Sequence, residues 1–150
     1  MSIDRAINQS KFRNEYQKVM INIIFSSNWI TEKQKRFLDP EDITPQQYNI
    51  LRILRGSAKP LSTLQIRERM LDKMSDTSRI VDRLLLKELV EKQPCKTDKR
   101  LVDITISEKG VAVLDRLDVR NHELDKMVSQ ALTPEEASTL NSLLDKMRNE

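Results

Sequence analysis

The sequence predicts a mostly α-helical protein with one small β-hairpin, an α+β chain, on three observations. It holds only two glycines, Gly56 and Gly110, and 4% aromatics, beside many Leu, Lys, Arg, Glu and Gln. That composition suits helices, where straight-chain residues lose little rotamer freedom. Apolar residues recur at three- and four-residue spacing through most of the chain. One stretch alone, Leu101 to Ile106, switches to the two-residue alternation of a strand.

The first helix is predicted over residues 8–37, with Phe12, Tyr16, Val19, Ile23, Ser27 and Ile30 forming its stripe. At 1.5 Å per residue it would run roughly 43 Å, longer than a lobe of this size can cover. Thr44-Pro45-Gln46-Gln47 starts the next helix, with Pro45 at the favoured first position, Tyr48, Leu51 and Leu54 inward, and Gly56 as its stop. Ser62 and Gln65 form a capping box for a short helix carrying Leu64, Ile66 and Met70. Ser75 opens a further helix, with Asp76 at its positive end and Ile80, Val81, Leu84 and Leu85 buried. Two short helices separated by Asp72 to Ser75 make a helix-turn-helix.

The hairpin follows, with its tip at Gln93 to Arg100. Ser107-Glu108-Lys109 then begins a long helix with Val111, Leu114, Leu117, Leu124, Val128 and Leu132 along one stripe. Thr133-Pro134-Glu135-Glu136 caps the last helix, which presents Ala137, Leu140, Leu143, Leu144 and Met147. The chain reads as one domain, residues 1–150. Residues 44–106 form a winged lobe, and residues 8–37 and 108–149 form a helical dimerisation lobe.

Glycine spacing excludes whole function classes. Phosphate-cradling and dinucleotide-binding loops need two or three glycines within a few residues, and here the two lie far apart. Neither a metal-ligand spacing nor a nucleophile–base pair is present, so no cofactor, metal or enzymatic activity is expected. The sole histidine, His122, reads as a surface or interface residue.

Charge is distributed unevenly. Residues 52–100 hold 13 Lys/Arg against 7 Asp/Glu, a local +6, whereas residues 107–150 hold 6 against 9, a local −3. A basic middle beside an acidic end suggests that the middle faces a polyanion. One cysteine, Cys95, cannot close an internal disulfide, which favours a reducing compartment. The longest apolar stretch, Val19 to Phe25, is too short for a bilayer span. The opening residues Met1 to Arg5 lack the basic-then-apolar order of a signal peptide, so no membrane association and a cytoplasmic location are expected.

The stretch from Thr77 to Gly110 resembles the signature region of the MarR (multiple antibiotic resistance regulator) family of winged helix-turn-helix regulators. Ser78 to Leu84 is similar to that family's recognition-helix run, and Asp98-Lys99-Arg100 matches its Asp-x-Arg wing motif. Ile106 to Gly110 resembles its entrance to the following helix. One departure is Glu88, which stands where the family usually has glycine before the wing. A side chain in a left-handed cap costs about 1 kcal/mol, so a differently shaped turn is expected there.

Ser75, Thr77, Ser78 and Arg79 then lie at the start of a helix suited to the major groove, with Thr77, Ser78 and Arg79 the candidates for base edges. Arg83, Lys96 and Lys99 suit phosphate, and Arg100 suits a neighbouring minor groove. The resemblance assigns Asp98 the task of holding Arg100 by a paired hydrogen bond. Phe25, Trp29 and Tyr48 are candidates for an aromatic effector pocket or ordinary core, and Cys95 for an oxidation sensor or an incidental thiol. The expected function is a homodimeric repressor of a palindromic operator in double-stranded DNA, released by a small aromatic or lipophilic effector or by oxidation. The alternative is a winged-helix protein–protein module that keeps the fold without DNA.

Overall fold

The structure, a computed structural model, describes residues 1–149, which fall into two compact units, one of residues 1–45 and one from residue 46 onward. In the first unit a short helix, α1 (Ile3–Ala6), precedes the long α2 (Glu15–Leu38) and a 3₁₀ turn, Asp39–Glu41. The first long helix therefore begins at residue 15, not 8. Asn14 is the reason, because its side chain accepts the Gln17 N–H at 2.9 Å and caps the helix there. Upstream, Asn8 adopts the left-handed conformation (φ 52°), which ends α1. Asp4 and Lys18 tie the two helices by an ion pair of 3.1 Å. Of the 24 residues of α2 only Phe37 and Leu38 are buried.

The second unit holds α3 (Pro45–Gly56), β1 (Leu61–Ser62), α4 (Thr63–Arg69), α5 (Thr77–Leu86), β2 (Val90–Pro94), β3 (Val102–Ile106), α6 (Glu108–Asp118), α7 (Asn121–Ser129) and α8 (Pro134–Arg148). In α3 the buried residues are Gln47, Ile50, Leu51 and Leu54, while Tyr48, expected inward, is only half-buried. The Ser62–Gln65 and Thr133–Glu136 capping boxes form as expected. The hairpin is part of a three-stranded antiparallel sheet of order β1-β3-β2, in which Leu61 pairs with Ile104 and Pro94 with Val102. Ile104, Leu61 and Val90 are buried, as are Ile66 of α4, Val81 and Leu84 of α5, and Leu114 and Leu117 of α6.

Three expectations change here. Leu64 is 64% exposed, because the two-turn α4 uses Ile66 on its inner side, followed by the buried Met70 at its C-cap. The turn between α4 and α5 spans residues 70–76 and is longer than expected. The helix expected to run on from Ser107 is two helices. The Arg120 N–H bonds the Leu117 carbonyl at 2.9 Å, a tightened three-residue step, and α7 restarts at Asn121.

Glu88 answers the question raised by the missing glycine. It takes φ 60° itself, with the Leu89 N–H on the Leu84 carbonyl and the Glu88 N–H on the Leu85 carbonyl, both at 3.0 Å. The left-handed cap is kept and the glutamate bears its strain. Glu88→Gly should raise stability by about 1 kcal/mol, since the side chain is exposed and its Lys109 partner is 3.9 Å away. A urea midpoint that fails to rise would show that glycine's extra unfolded-state freedom outweighs the relief.

Gly110 has the opposite logic. A Cβ there would come 2.3 Å from the Leu89 backbone oxygen and 2.8 Å from Ile106 Cγ1. Gly110→Ala should cost about 3 kcal/mol, the upper part of the overpacking range, because the obstructing atom is backbone. At 2–4 °C per kcal/mol the melting temperature should fall roughly 6–12 °C. An unchanged Tm would mean α6 can move off the wing at no cost.

Candidate nucleic-acid interface

The first turn of α5 is set by Asp76, whose carboxylate accepts the Arg79 N–H at 3.2 Å. Ser75, expected as the opener, is instead absorbed in the turn, its hydroxyl donating to the Asp72 carbonyl at 2.7 Å. Thr77 lies four residues before Val81 and seven before Leu84, on the same face of the helix. Thr77 is therefore buried, 4% exposed, with no hydrogen-bond partner for its hydroxyl, contrary to the exposed base contact expected of it. Ser78, Arg79 and Arg83 are exposed on the side opposite Thr77, Val81 and Leu84. Ile80 and Leu85, expected to be buried, are half-buried.

Both ends of α5 are held. The Leu71 N–H in the preceding turn donates to Asn49 Oδ1 of α3 at 2.9 Å, and Lys87 Nζ donates to the buried Gln47 at 3.1 Å. The Ser107 hydroxyl donates to the Glu88 carbonyl at 2.7 Å and accepts the Gly110 N–H at 3.0 Å. One side chain thus joins the end of α5 to the start of α6. Ser75, Thr77 and Ser78, with Asp76, line an open groove of about 440 Å³ together with Thr63, Leu64 and Arg67 of α4. The α4 members were not singled out from sequence, because Leu64 read as core.

At the hairpin tip, Arg100 Nε donates to Asp98 Oδ1 at 3.1 Å and Nη2 to Oδ2 at 3.2 Å. The Arg100 N–H adds a third bond to Oδ1 at 3.0 Å. These bonds, the side-chain ones first, hold the Asp98 carboxyl below the usual carboxylate range against a small burial effect. The Arg100 side chain nonetheless remains 90% exposed, so it is oriented without being covered. Lys96 and Lys99 are exposed beside it. Cys95 is half-buried, its sulfur 3.2 Å from the Thr97 hydroxyl.

The aromatic candidates fall in separate units. Phe25 and Trp29 stand one turn apart on α2, 42% and 40% exposed, whereas Tyr48 lies on α3 with the Arg52 guanidinium 5.7 Å from its ring centroid. A cluster not expected from sequence joins α3 to α6. Arg52 Nη1 and Arg55 Nη2 each lie 2.7 Å from Asp118, and Arg55 Nη1 lies 3.3 Å from Asp115. Burial raises the Asp118 pKa, but its Arg55 bond, the two positive charges and Asn121 outweigh it and hold the group lowered. The stabilisation is therefore present above an unfolded value of about 4 and lost as pH falls through the lowered one. Among the described residues no helix is long and apolar enough to cross a membrane.

A two-helix motif with an exposed polar first turn on its second helix, followed by a basic two-stranded wing, defines a winged helix-turn-helix protein. The sequence profile of the MarR family matches residues 41–101. The multiple antibiotic resistance protein MarR of Salmonella typhimurium is 30% identical over 112 residues, 74% of this chain and 77% of that one. The crystal structure of a mutant MarR from Escherichia coli complexed with operator DNA is similar with a TM-score of 0.82 at 25% identity, over 93% of this chain and 100% of the other. The organohalide-sensing regulator RdhR, in its 2,4-dichlorophenol-bound form, shares the fold with a TM-score of 0.82 at 21% identity, over 94% of this chain and 86% of the other. The chain belongs to the MarR family of transcription regulators.

Proposed function

We propose that this protein is a cytoplasmic, non-enzymatic homodimer that represses transcription by binding a palindromic operator in double-stranded DNA. The observation that carries the reading is the pairing of an outward Ser78-Arg79 turn on α5 with an exposed Arg100 already oriented by Asp98. Arg79 reads a base edge, with its fork suited to guanine O6 and N7, and Ser78 adds a less selective contact. Arg83, Lys96 and Lys99 hold phosphates, and Arg100 enters the adjacent minor groove. Ser75, half-buried, lines the same groove as Ser78.

Dimerisation is supported by apolar side chains left exposed on α2 and α8. Tyr16 is 82% exposed, Ile24 61% and Leu143 57%. A second copy covering residues 8–37 and 108–149 would bury them across a two-fold axis, with two α5 helices one DNA turn apart. Release of the operator is assigned to a small aromatic or lipophilic effector, with Phe25 and Trp29 of the first unit, or Tyr48 of the second, as candidate contacts, or to oxidation of Cys95. The MarR mutant crystallised with operator DNA and RdhR with 2,4-dichlorophenol support the two ligand classes.

Selection of bound sequences from random duplex DNA tests the reading. It should return an inverted repeat with half-site centres about 10 base pairs apart, bound by a dimer in sedimentation. A folded dimer that enriches no sequence would leave the protein–protein module in its place.

A further inference from the structure

We infer that Asp118 is a positioning residue for operator recognition, an ionic clamp that sets the direction in which α7 and α8 leave the winged lobe and so the separation of the two α5 helices. The inference rests on the dimeric, palindrome-reading function proposed above, with α7 and α8 in the dimer interface. Its structural basis lies at the end of α6. Asp118 Oδ2 takes Arg55 at 2.7 Å, while Oδ1 takes Arg52 at 2.7 Å and Asn121 Nδ2 at 3.1 Å. Asp118 is the last residue of α6 and Asn121 the first of α7, so this carboxylate spans the break and ties both sides of it to α3.

Packing changes at the same place. Helix α6 buries Gly110, Val113, Leu114 and Leu117, whereas α7 and α8 bury no residue. Within one chain, the direction of α7 is therefore not fixed by a core. It depends on the soft dihedrals of Val119 and Arg120 and on what restrains them. At 1.5 Å per residue the nine residues of α7 span about 13 Å, so a 10° change at the break moves the far end by about 2 Å. One base pair rises about 3.4 Å, so a shift of this size matters to half-site spacing. Partly exposed ion pairs add little to folding stability, and a clamp built from them can alter geometry without unfolding the lobe.

A label on the wing provides the measurement. With Cys95 replaced by Ser, a nitroxide on Thr97→Cys, at the exposed wing tip, places one label on each wing of the dimer, and pulsed dipolar spectroscopy without DNA reads the distance between wings. Native protein should give one narrow distance. Asp118→Asn, which keeps shape and removes the charge, should broaden or shift that distance at unchanged helicity and dimerisation, and Asp118→Glu should restore it in part. With DNA, native protein should prefer the selected spacing over one lengthened by a base pair, and Asp118→Asn should shrink that preference at least several-fold while sparing its base preference within a half-site. A dimeric Asp118→Asn with an unmoved wing distance overturns the clamp alone. Native protein without a dimer or an inverted repeat overturns the parent reading, and the clamp with it.

Discussion

Raising salt from 50 to 200 mM should weaken operator binding by about 10³–10⁵-fold. The expectation follows from counting exposed cations on the proposed face. Arg83, Lys96 and Lys99 at phosphates and Arg100 in the minor groove bring about eight counterion-displacing cations per dimer, for a slope of roughly −7 in log affinity against log salt. None of the four is drawn into the folded core, since even Arg100, bonded to Asp98, keeps 90% of its side chain exposed. Their charge is therefore presented to a ligand. Fluorescence anisotropy titrations across that salt range give the slope. Replacing Lys96 and Lys99 by Gln should flatten it by about four units, because two contacts per protomer vanish at about 0.9 each. A native slope near zero would mean that affinity comes from something other than counterion release, and the electrostatic account of the wing would be lost.

Much of this face was legible in the sequence because it is local. The Ser62–Gln65 and Thr133–Glu136 caps need only residues three apart, and the strand alternation around Ile104 needs only neighbours. The Asp98–Arg100 bond, which the family resemblance implied, is local too, two residues apart. What the sequence hid depends on competition or distance. Ser75 and Asp76 are both good caps, and only the Asp72 turn, by taking the Ser75 hydroxyl, decides between them. Thr77 reads as a polar first-turn residue, yet it lies four residues before Val81 on the buried face. Strand β1 is two residues long, too short to show a period, and the break at Val119–Arg120 carries no Gly or Pro to mark it. The Arg52 and Arg55 partners of Asp118 lie more than 60 residues away in the chain. The only hint was matching three-residue spacing, Arg52 to Arg55 and Asp115 to Asp118, and such spacing is too common to read as a pair.

Four substitutions on one operator should separate reading, holding and orienting. Arg79→Ala should cost roughly 1–3 kcal/mol per half-site and blur base preference at one position, because a lost bidentate contact removes discrimination. Its side chain is exposed and its N–H, not its guanidinium, meets Asp76, so the helix cap survives the change. Lys99→Ala should weaken every sequence about equally, since a phosphate carries no base identity. Arg100→Ala should weaken binding most where the flanks are A·T-rich, because only a narrow minor groove rewards an inserted guanidinium. Asp98→Ala is the decisive variant. It removes a negative charge from a basic wing, which by charge alone should tighten binding. It also frees Arg100 from two side-chain bonds and one backbone bond, so that ordering the side chain on DNA costs entropy that the free protein had already lost. The orienting role predicts that the second effect wins, with weaker binding chiefly on A·T-rich flanks. Asp98→Asn, which keeps one acceptor, should fall between Asp98→Ala and native protein. If Asp98→Ala binds more tightly on every flank, Asp98 is a repelling charge and Arg100 needs no holder.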